Sequence, residues 1–197
     1  MNYNPTELLD PPDTTRTPYS IVVVNRLTRW KHVDEVVKAF EILKHQFPAA
    51  TLTIAGDGPE RTLLEDLVEE RALSDSVTLL GDVSKADVER LLISSAVYVL
   101  NSSYEGLPFT VLEAFAAKIP VVATSIPGTN ELVSTETGWP TTSENAVTLA
   151  DAISAVFTNE KRAEQRAATA HELLQRQFTW ERHIETLEGF FKTIRKN

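Results

Sequence analysis

Apolar residues along this chain recur with two periods. The run IVVV at 21–24 is followed by Val33, Val36, Val37, Phe40 and Leu43 at helical spacing, which predicts a strand leading into an amphipathic helix. The unit repeats as TLTIA at 51–55 with a helix from about Glu60, VTLL at 77–80 with a helix from about Ser84, AVYVL at 96–100 with a helix from about Pro108, and PVVAT at 120–124. Strands that read as unbroken apolar runs need cover on both faces. The five predicted strands therefore imply an α/β fold, a parallel sheet with helices on both sides. A sheet of that kind receives ligands outside the carboxyl ends of its strands.

Beyond the last predicted strand, residues 144–175 read as one or two helices, with Ala146, Leu149, Ala150, Ile153 and Val156 on one face. The segment WERHIETLEGFFKTI predicts a closing helix. At the other end, four prolines between Pro5 and Pro18 predict an extended lead-in, because proline fixes φ, donates no hydrogen bond and restrains the residue before it. The expected organisation is a lead-in over 1–19, one domain over 20–178 and a C-terminal helix over 179–197.

At 197 residues, 42% of them hydrophobic, the chain can bury one substantial core and has no room for a second sheet domain. Its formal charge of −9 argues against a nucleic-acid partner, whose phosphates demand clustered Lys and Arg. With no cysteine, thiol catalysis, disulfides and Cys-based metal sites are excluded. The four histidines show no ligand pairing, so a structural zinc is set aside. No stretch approaches the roughly 20 apolar residues of a membrane span, and the N-terminal residues lack a signal-peptide pattern. The expectation is a soluble, cytoplasmic protein, with peripheral membrane attachment left open through a domain outside this chain.

Loops at the strand ends carry the candidate chemistry. After the first strand, Asn25-Arg26-Leu27-Thr28-Arg29-Trp30-Lys31 puts three cations where such a sheet presents ligands. Arginine grips phosphate oxygens bidentately and lysine supplies a point charge. Taken alone, the segment is better read as a solvated basic loop. After the second strand, Gly56-Asp57-Gly58-Pro59-Glu60-Arg61 superficially resembles a dinucleotide-binding glycine loop. It fails that test, because Arg61 holds the third glycine's place and the loop follows the wrong strand. Ligand contact by Gly56 and Gly58, and a tight turn with Pro59 at the first helical position, stand as even alternatives.

The strongest segment is SSYEGLPFTVLEA at 102–114, which crosses from the fourth strand into the next helix. Pro108 suits a helix start, which leaves the amides of Phe109, Thr110 and Val111 to face an anionic diphosphate. Glu105, beside Gly106, precedes that helix, and Glu113 lies about one turn inside it. Both would repel an anion unless they face hydroxyl groups, which favours a nucleotide sugar over a bare nucleotide. The plain alternative is that Glu113 merely suits a helix N-terminus and Glu105 a surface turn. Pro127-Gly128-Thr129-Asn130-Glu131 forms a further rim loop, or a turn with a helix cap. His32, His45, His171 and His183 fall on predicted helices or their starts and read as surface or packing residues.

In order along the chain, VVNRLTRWKH, TLTIAGDGPER, SSYEGLPFTVLEAFA with its Glu-x7-Glu spacing, and PVVATSIPGTNELV resemble the motifs of the group 1 (family 4) retaining glycosyltransferases, over about Ile21 to Ile194. The part resembled is the C-terminal donor-binding domain of their two-domain GT-B fold, a Rossmann-like half. The resemblance implies transfer of a hexosyl group from a UDP- or GDP-sugar, in polysaccharide or glycoconjugate biosynthesis, with no metal and no cofactor beyond the donor. It implies that Arg26 and Lys31 contact the donor diphosphate and stabilise its charge as it leaves. Glu105 is implied to bind hydroxyls of the donor sugar and Glu113 those of the ribose. Backbone around Gly106, Phe109, Thr110 and Val111, with Gly56 and Gly58, is implied to hold phosphate or sugar oxygens. Catalytic roles thus fall on Glu105, Arg26 and Lys31. Retention by front-face attack, assisted by the departing phosphate, means that Glu105 and Glu113 are not read as a hydrolase's acid and nucleophile.

Three residues depart from the family pattern. Asn25 stands where glycine precedes Arg26, which crowds the approach of backbone to phosphate. His32 replaces the glycine or small polar residue after Lys31, and Lys118 takes the glycine's place in an Ala-Ala-Gly-x-Pro stretch. Family members are much longer, with an N-terminal half that carries the acceptor site and a catalytic histidine. Activity is therefore expected to need a separate acceptor-binding domain or subunit. The alternative is a non-catalytic sugar-nucleotide-binding or assembly module. An epimerase or a nicotinamide-dependent oxidoreductase fits the loops less well.

Overall fold

The computed structural model describes residues 16–142 and 145–178. The predicted apolar runs form β1 (Ser20–Val24), β2 (Thr51–Ala55), β3 (Val77–Gly81), β4 (Val97–Leu100) and β5 (Val121–Thr124), and a sixth strand, β6 (Trp139–Thr141), joins them. All pair in parallel, in the order β3-β2-β1-β4-β5-β6. The sixth strand escapes the periodicity because it is only three residues long with proline at its centre. Lacking an N–H, that proline is compatible with the sheet edge it occupies.

Among the described residues six α-helices connect and follow the strands: α1 (Val33–Gln46), α2 (Arg61–Glu70), α3 (Lys85–Ser94), α4 (Phe109–Ala116), α5 (Ala146–Thr158) and α6 (Glu160–Gln177). Side-chain caps fix several starts. The Ser84 side chain accepts from the amide of Asp87, Asn145 from Thr148 and Asn159 from Arg162. Asn159 both ends α5 and opens α6, which divides the segment 144–175 in two. Pro59 is not the first helical residue: the Gly58 carbonyl accepts from the Arg61 amide at 3.0 Å, so the proline sits in a turn ahead of α2. The predicted closing helix over 179–197, its His183, and lead-in residues 1–15 lie outside the described residues.

Alternation along the strands divides the core into two layers. Ile21, Val23, Val97 and Val99 pack with α1, α2 and α5, while Val22, Tyr98, Leu100 and Ala123 pack with α3, α4 and α6. Each fully buried aliphatic side chain contributes about 1.5–3 kcal/mol, so the sheet interior dominates the folding drive. The amino edge carries a polar tie. Arg16 Nη1 donates to the carbonyls of Leu92, Ile93 and Ser95 at 2.8–2.9 Å, and Nη2 to that of Ala117 at 2.7 Å. One cation thereby serves the C-terminal ends of α3 and α4, where the last carbonyls lack helical partners.

The strand order reverses between β1 and β4. Their register, Ile21 beside Val97 and Val22 beside Tyr98, brings the loops that follow them to the same edge. Those loops leave for opposite faces of the sheet, and the crevice between them is where such a fold receives ligands.

Candidate functional site

The loops after β1 and β4 are joined across this crevice. Ser103 donates its amide to the Trp30 carbonyl at 2.8 Å, and Asn101 Nδ2 donates to the His32 carbonyl at 3.1 Å. The Thr124 hydroxyl at the end of β5 clamps the second loop further, donating to the Ser102 carbonyl at 2.7 Å and accepting from its amide at 3.0 Å. Thr129 in turn donates to the Thr124 carbonyl. Gly128 of the rim loop has φ +92°, and a Cβ there would meet the Gly106 carbonyl oxygen at 1.9 Å, so this loop lies directly against Glu105-Gly106.

Stitching the loops brings two candidate residues into contact. Lys31 Nζ lies 2.5 Å from Glu105 Oε1, with the two side chains only 16% and 11% exposed. Arg26 lies exposed on the wall of an adjoining cavity of about 500 Å³, and among the described residues it makes no ion pair. Asn25, Gly56, Asp57, Gly58, Asp82, Val83 and Thr110 line the same cavity, which opens at the carboxyl ends of β1, β2 and β3 and the first turn of α4. Apolar Val24, Ala55, Val83 and Val88 complete a lining that holds one cation, Arg26, and two carboxylates, Asp57 and Asp82, a mix of apolar wall and a few placed polar groups that is usual for a small-molecule site.

Gly56 and Gly58 form part of this wall because two loops of the protein approach each other. A Cβ on Gly56 would meet the Asn25 carbonyl oxygen at 1.9 Å, and one on Gly58 the Leu27 carbonyl oxygen at 2.3 Å. Leu27 donates its amide to the Asp57 carbonyl at 2.9 Å and accepts from that of Glu60 at 3.1 Å. The glycines thus let the second-strand loop buttress the basic loop. Within that contact the Asn25 carboxamide is buried, and neither its nitrogen nor its oxygen finds a hydrogen-bond partner among the described residues.

Helix α4 opens without a side-chain cap. Of the three amides predicted to face an anion, that of Val111 donates to the Pro108 carbonyl at 3.0 Å and its residue is fully buried, which withdraws it. Phe109 and Thr110 stand at the rim. Tyr98, on β4 and fully buried, donates its hydroxyl to Thr110 Oγ1 at 2.8 Å. Burial pushes the phenol well above the ordinary tyrosine range; the charges of Glu105 and Glu113 add to that shift and the Thr110 bond opposes it. Glu113, one turn into α4, is buried.

Two of the three departures from the family pattern fall on left-handed backbone. His32 has φ +41° and Lys118 φ +53°, conformations that glycine adopts without strain. Asn25 does not share this geometry. The sequence reading missed Asp82 and Val83, which follow β3, as well as Tyr98, Asn101 and Thr124, which orient the loops. The strand-end position of Gly81-Asp82 was the available signal, since every carboxyl end in a parallel sheet faces the same edge. His45 and His171 lie on α1 and α6; His171 Nδ1 is 3.0 Å from the Phe115 carbonyl, a packing role. Among the described residues no helix is long and apolar enough to cross a membrane, and no group of three or more His, Asp or Glu could hold a metal.

The family model for glycosyl transferases group 1 matches residues 8–173. Glycogen synthase of Mycobacterium tuberculosis is 30% identical over 165 residues, 83% of this chain and 40% of that protein. Among solved structures, sucrose-phosphate synthase of Thermosynechococcus elongatus superimposes with a TM-score of 0.85 at 25% identity, covering 98% of this chain and 51% of that one. The pneumococcal O-GlcNAc transferase GtfA, solved in complex with UDP and GlcNAc, gives a TM-score of 0.79 at 25% identity, over 96% of this chain and 37% of that one. The match spans 40% of the length of the glycogen synthase and of the Schizosaccharomyces pombe gpi3 subunit, and between 17% and 45% of other curated relatives. The Rossmann-like sheet is that of a GT-B glycosyltransferase domain.

Proposed function

The chain belongs to the group 1 glycosyl transferases, and on that premise we propose that it is the donor-binding, C-terminal half of a retaining family 4 enzyme that takes a hexosyl group from a UDP- or GDP-sugar. The observation that carries this reading is the meeting of Lys31 with Glu105 beside the cavity lined by Arg26 and Thr110. A diphosphate seated at the first turn of α4 would lie within reach of both cations. Arg26 and Lys31 then take up the charge that develops as the nucleoside diphosphate departs, a task for preorganised donors that needs no metal. Glu105 accepts hydrogen bonds from donor-sugar hydroxyls once Lys31 turns to the phosphate. Glu113 serves the ribose, and the base occupies the part of the cavity beside Asp82 and Val83.

Retention follows in this scheme from attack on the face that the phosphate leaves, with the phosphate drawing the acceptor's proton. The acceptor and the residues that hold it belong to another domain or subunit, so the chain by itself binds donor without turnover. The complex of GtfA with UDP supports the nucleotide class. The test is calorimetric titration with UDP, GDP and NAD, repeated on Arg26→Ala and Glu113→Ala. Binding of UDP or GDP that both substitutions weaken is expected. No binding at millimolar concentration would favour a non-catalytic assembly module instead.

A further inference from the structure

Thr110 and Tyr98 form a hydrogen-bonded pair at the wall of the cavity. Thr110 lines the cavity at the second position of α4, beside Arg26 and Asn25, and its Oγ1 lies 2.8 Å from the Tyr98 hydroxyl. A phenol is a stronger acid than an aliphatic alcohol, so in a phenol–alcohol pair the phenol is the better donor and the alcohol the better acceptor. Tyr98 is fully buried in the middle of the sheet, and Thr110 Oγ1 is the acceptor recorded for its proton among the described residues. That bond occupies an acceptor lobe of Thr110 and leaves the threonine's own proton to be donated. Among the described residues no protein acceptor takes it, and the part-buried threonine lines the cavity.

We infer that the Thr110 hydroxyl is a preset hydrogen-bond donor to the ligand's diphosphate, and that Tyr98 is the positioning residue that fixes it in the donating orientation. The inference rests on the donor-site reading above and adds a neutral side-chain donor to the backbone amides and cations assigned to the diphosphate, in a cavity that also presents Asp57 and Asp82. A valine or alanine at 110 would leave the amide in place and lose this contact. A freely rotating threonine would spend part of its time with the proton turned away from the ligand. Tyr98 lowers that orientational cost before the ligand arrives.

The test is a double-mutant cycle on nucleotide affinity, read by calorimetry with UDP and GDP and, as the phosphate-free control, uridine and guanosine. Thr110→Val is expected to weaken diphosphate binding about tenfold, the scale of one hydrogen bond to a charged acceptor, and Thr110→Ser to restore most of it. Tyr98→Phe keeps the ring in the core and is expected to weaken binding about threefold, a loss that vanishes in the Thr110→Val background. Thermal unfolding of each variant separates a folding defect from a binding one. The inference is overturned if Tyr98→Phe binds like the unaltered protein, if the two losses multiply in the double variant, or if the nucleosides lose as much as the diphosphates. If the unaltered protein binds neither UDP nor GDP, the donor-site reading itself fails and takes this inference with it.

Discussion

Lys31 Nζ and Glu105 Oε1 stand 2.5 Å apart across the crevice between the β1 and β4 loops, so the cation assigned to the diphosphate and the carboxylate assigned to the sugar neutralise each other. Under the proposed roles, a sugar-nucleotide donor would exchange this contact for two of its own. A bare nucleoside diphosphate supplies only one of them, because it brings phosphate oxygens for Lys31 but no sugar hydroxyls for Glu105.

Glu105→Gln is therefore expected to tighten UDP or GDP binding by roughly threefold or more, since it frees Lys31 and removes a negative charge beside the phosphate. The same substitution should weaken the intact sugar nucleotide relative to the diphosphate. Lys31→Ala should weaken both by about tenfold. Calorimetry at low and high salt reads all three, and a loss of UDP affinity in Glu105→Gln would rule out the competition.

The glycines separate by their surroundings. At Gly56, with φ +129°, a Cβ would meet the Asn25 carbonyl at 1.9 Å, and both residues are tied by backbone hydrogen bonds just past the strand ends, Asn25 donating its amide to the Ala55 carbonyl at 3.1 Å and Gly56 to that of Gly81 at 2.8 Å. Gly56→Ala is expected to cost about 3 kcal/mol or more in urea unfolding. Gly106 has no heavy atom within 4 Å of its would-be Cβ, so Gly106→Ala should stay within about 0.5 kcal/mol.

Lys118 is a strained residue at the end of α4, with φ +53°. Lys118→Gly is expected to raise stability by about 0.5–1 kcal/mol, after the larger unfolded-state entropy of glycine is offset. A rise in the thermal midpoint of about 2 °C would register it, and a fall would show that the lysine side chain supplies a compensating contact.

These positions show how much was legible in the sequence. The strands of the first five units follow from period, and the meeting of the 25–32 and 102–114 loops at the carboxyl edge follows from the parallel order; the roles proposed for those loops come from the family resemblance instead. Period reads side-chain burial directly, and a parallel sheet puts its strand ends together. His32 and Lys118 could be flagged only as departures from a pattern; that both need left-handed backbone is a matter of φ, which no residue type encodes. β6 was hidden because three residues hold no period. The withdrawal of the Val111 amide depends on the tightness of one helical turn, and the Tyr98–Thr110 pair on a cross-element distance.

Thr124→Val removes the hydroxyl that holds Ser102 at both its amide and its carbonyl. With Ser102 fully buried, the orphaned amide is expected to cost about 2 kcal/mol, and nucleotide affinity should fall as the Glu105 loop loosens. Thr124→Ser should retain both properties. Loss of stability with unchanged affinity would show that the Glu105 loop is positioned without this clamp.

Arg16 bears on where this protein can be cut. A fragment trimmed to begin at Ser20 keeps every strand, yet it discards the guanidinium that joins Leu92, Ile93, Ser95 and Ala117. The ends of two helices then exchange a fixed charged donor for solvent, at the amino edge of the sheet, opposite the cavity that Arg26 lines. Any shortened version meant for crystallisation or domain exchange should therefore start upstream of Arg16, so that the severed end lies outside the hydrogen-bonded unit.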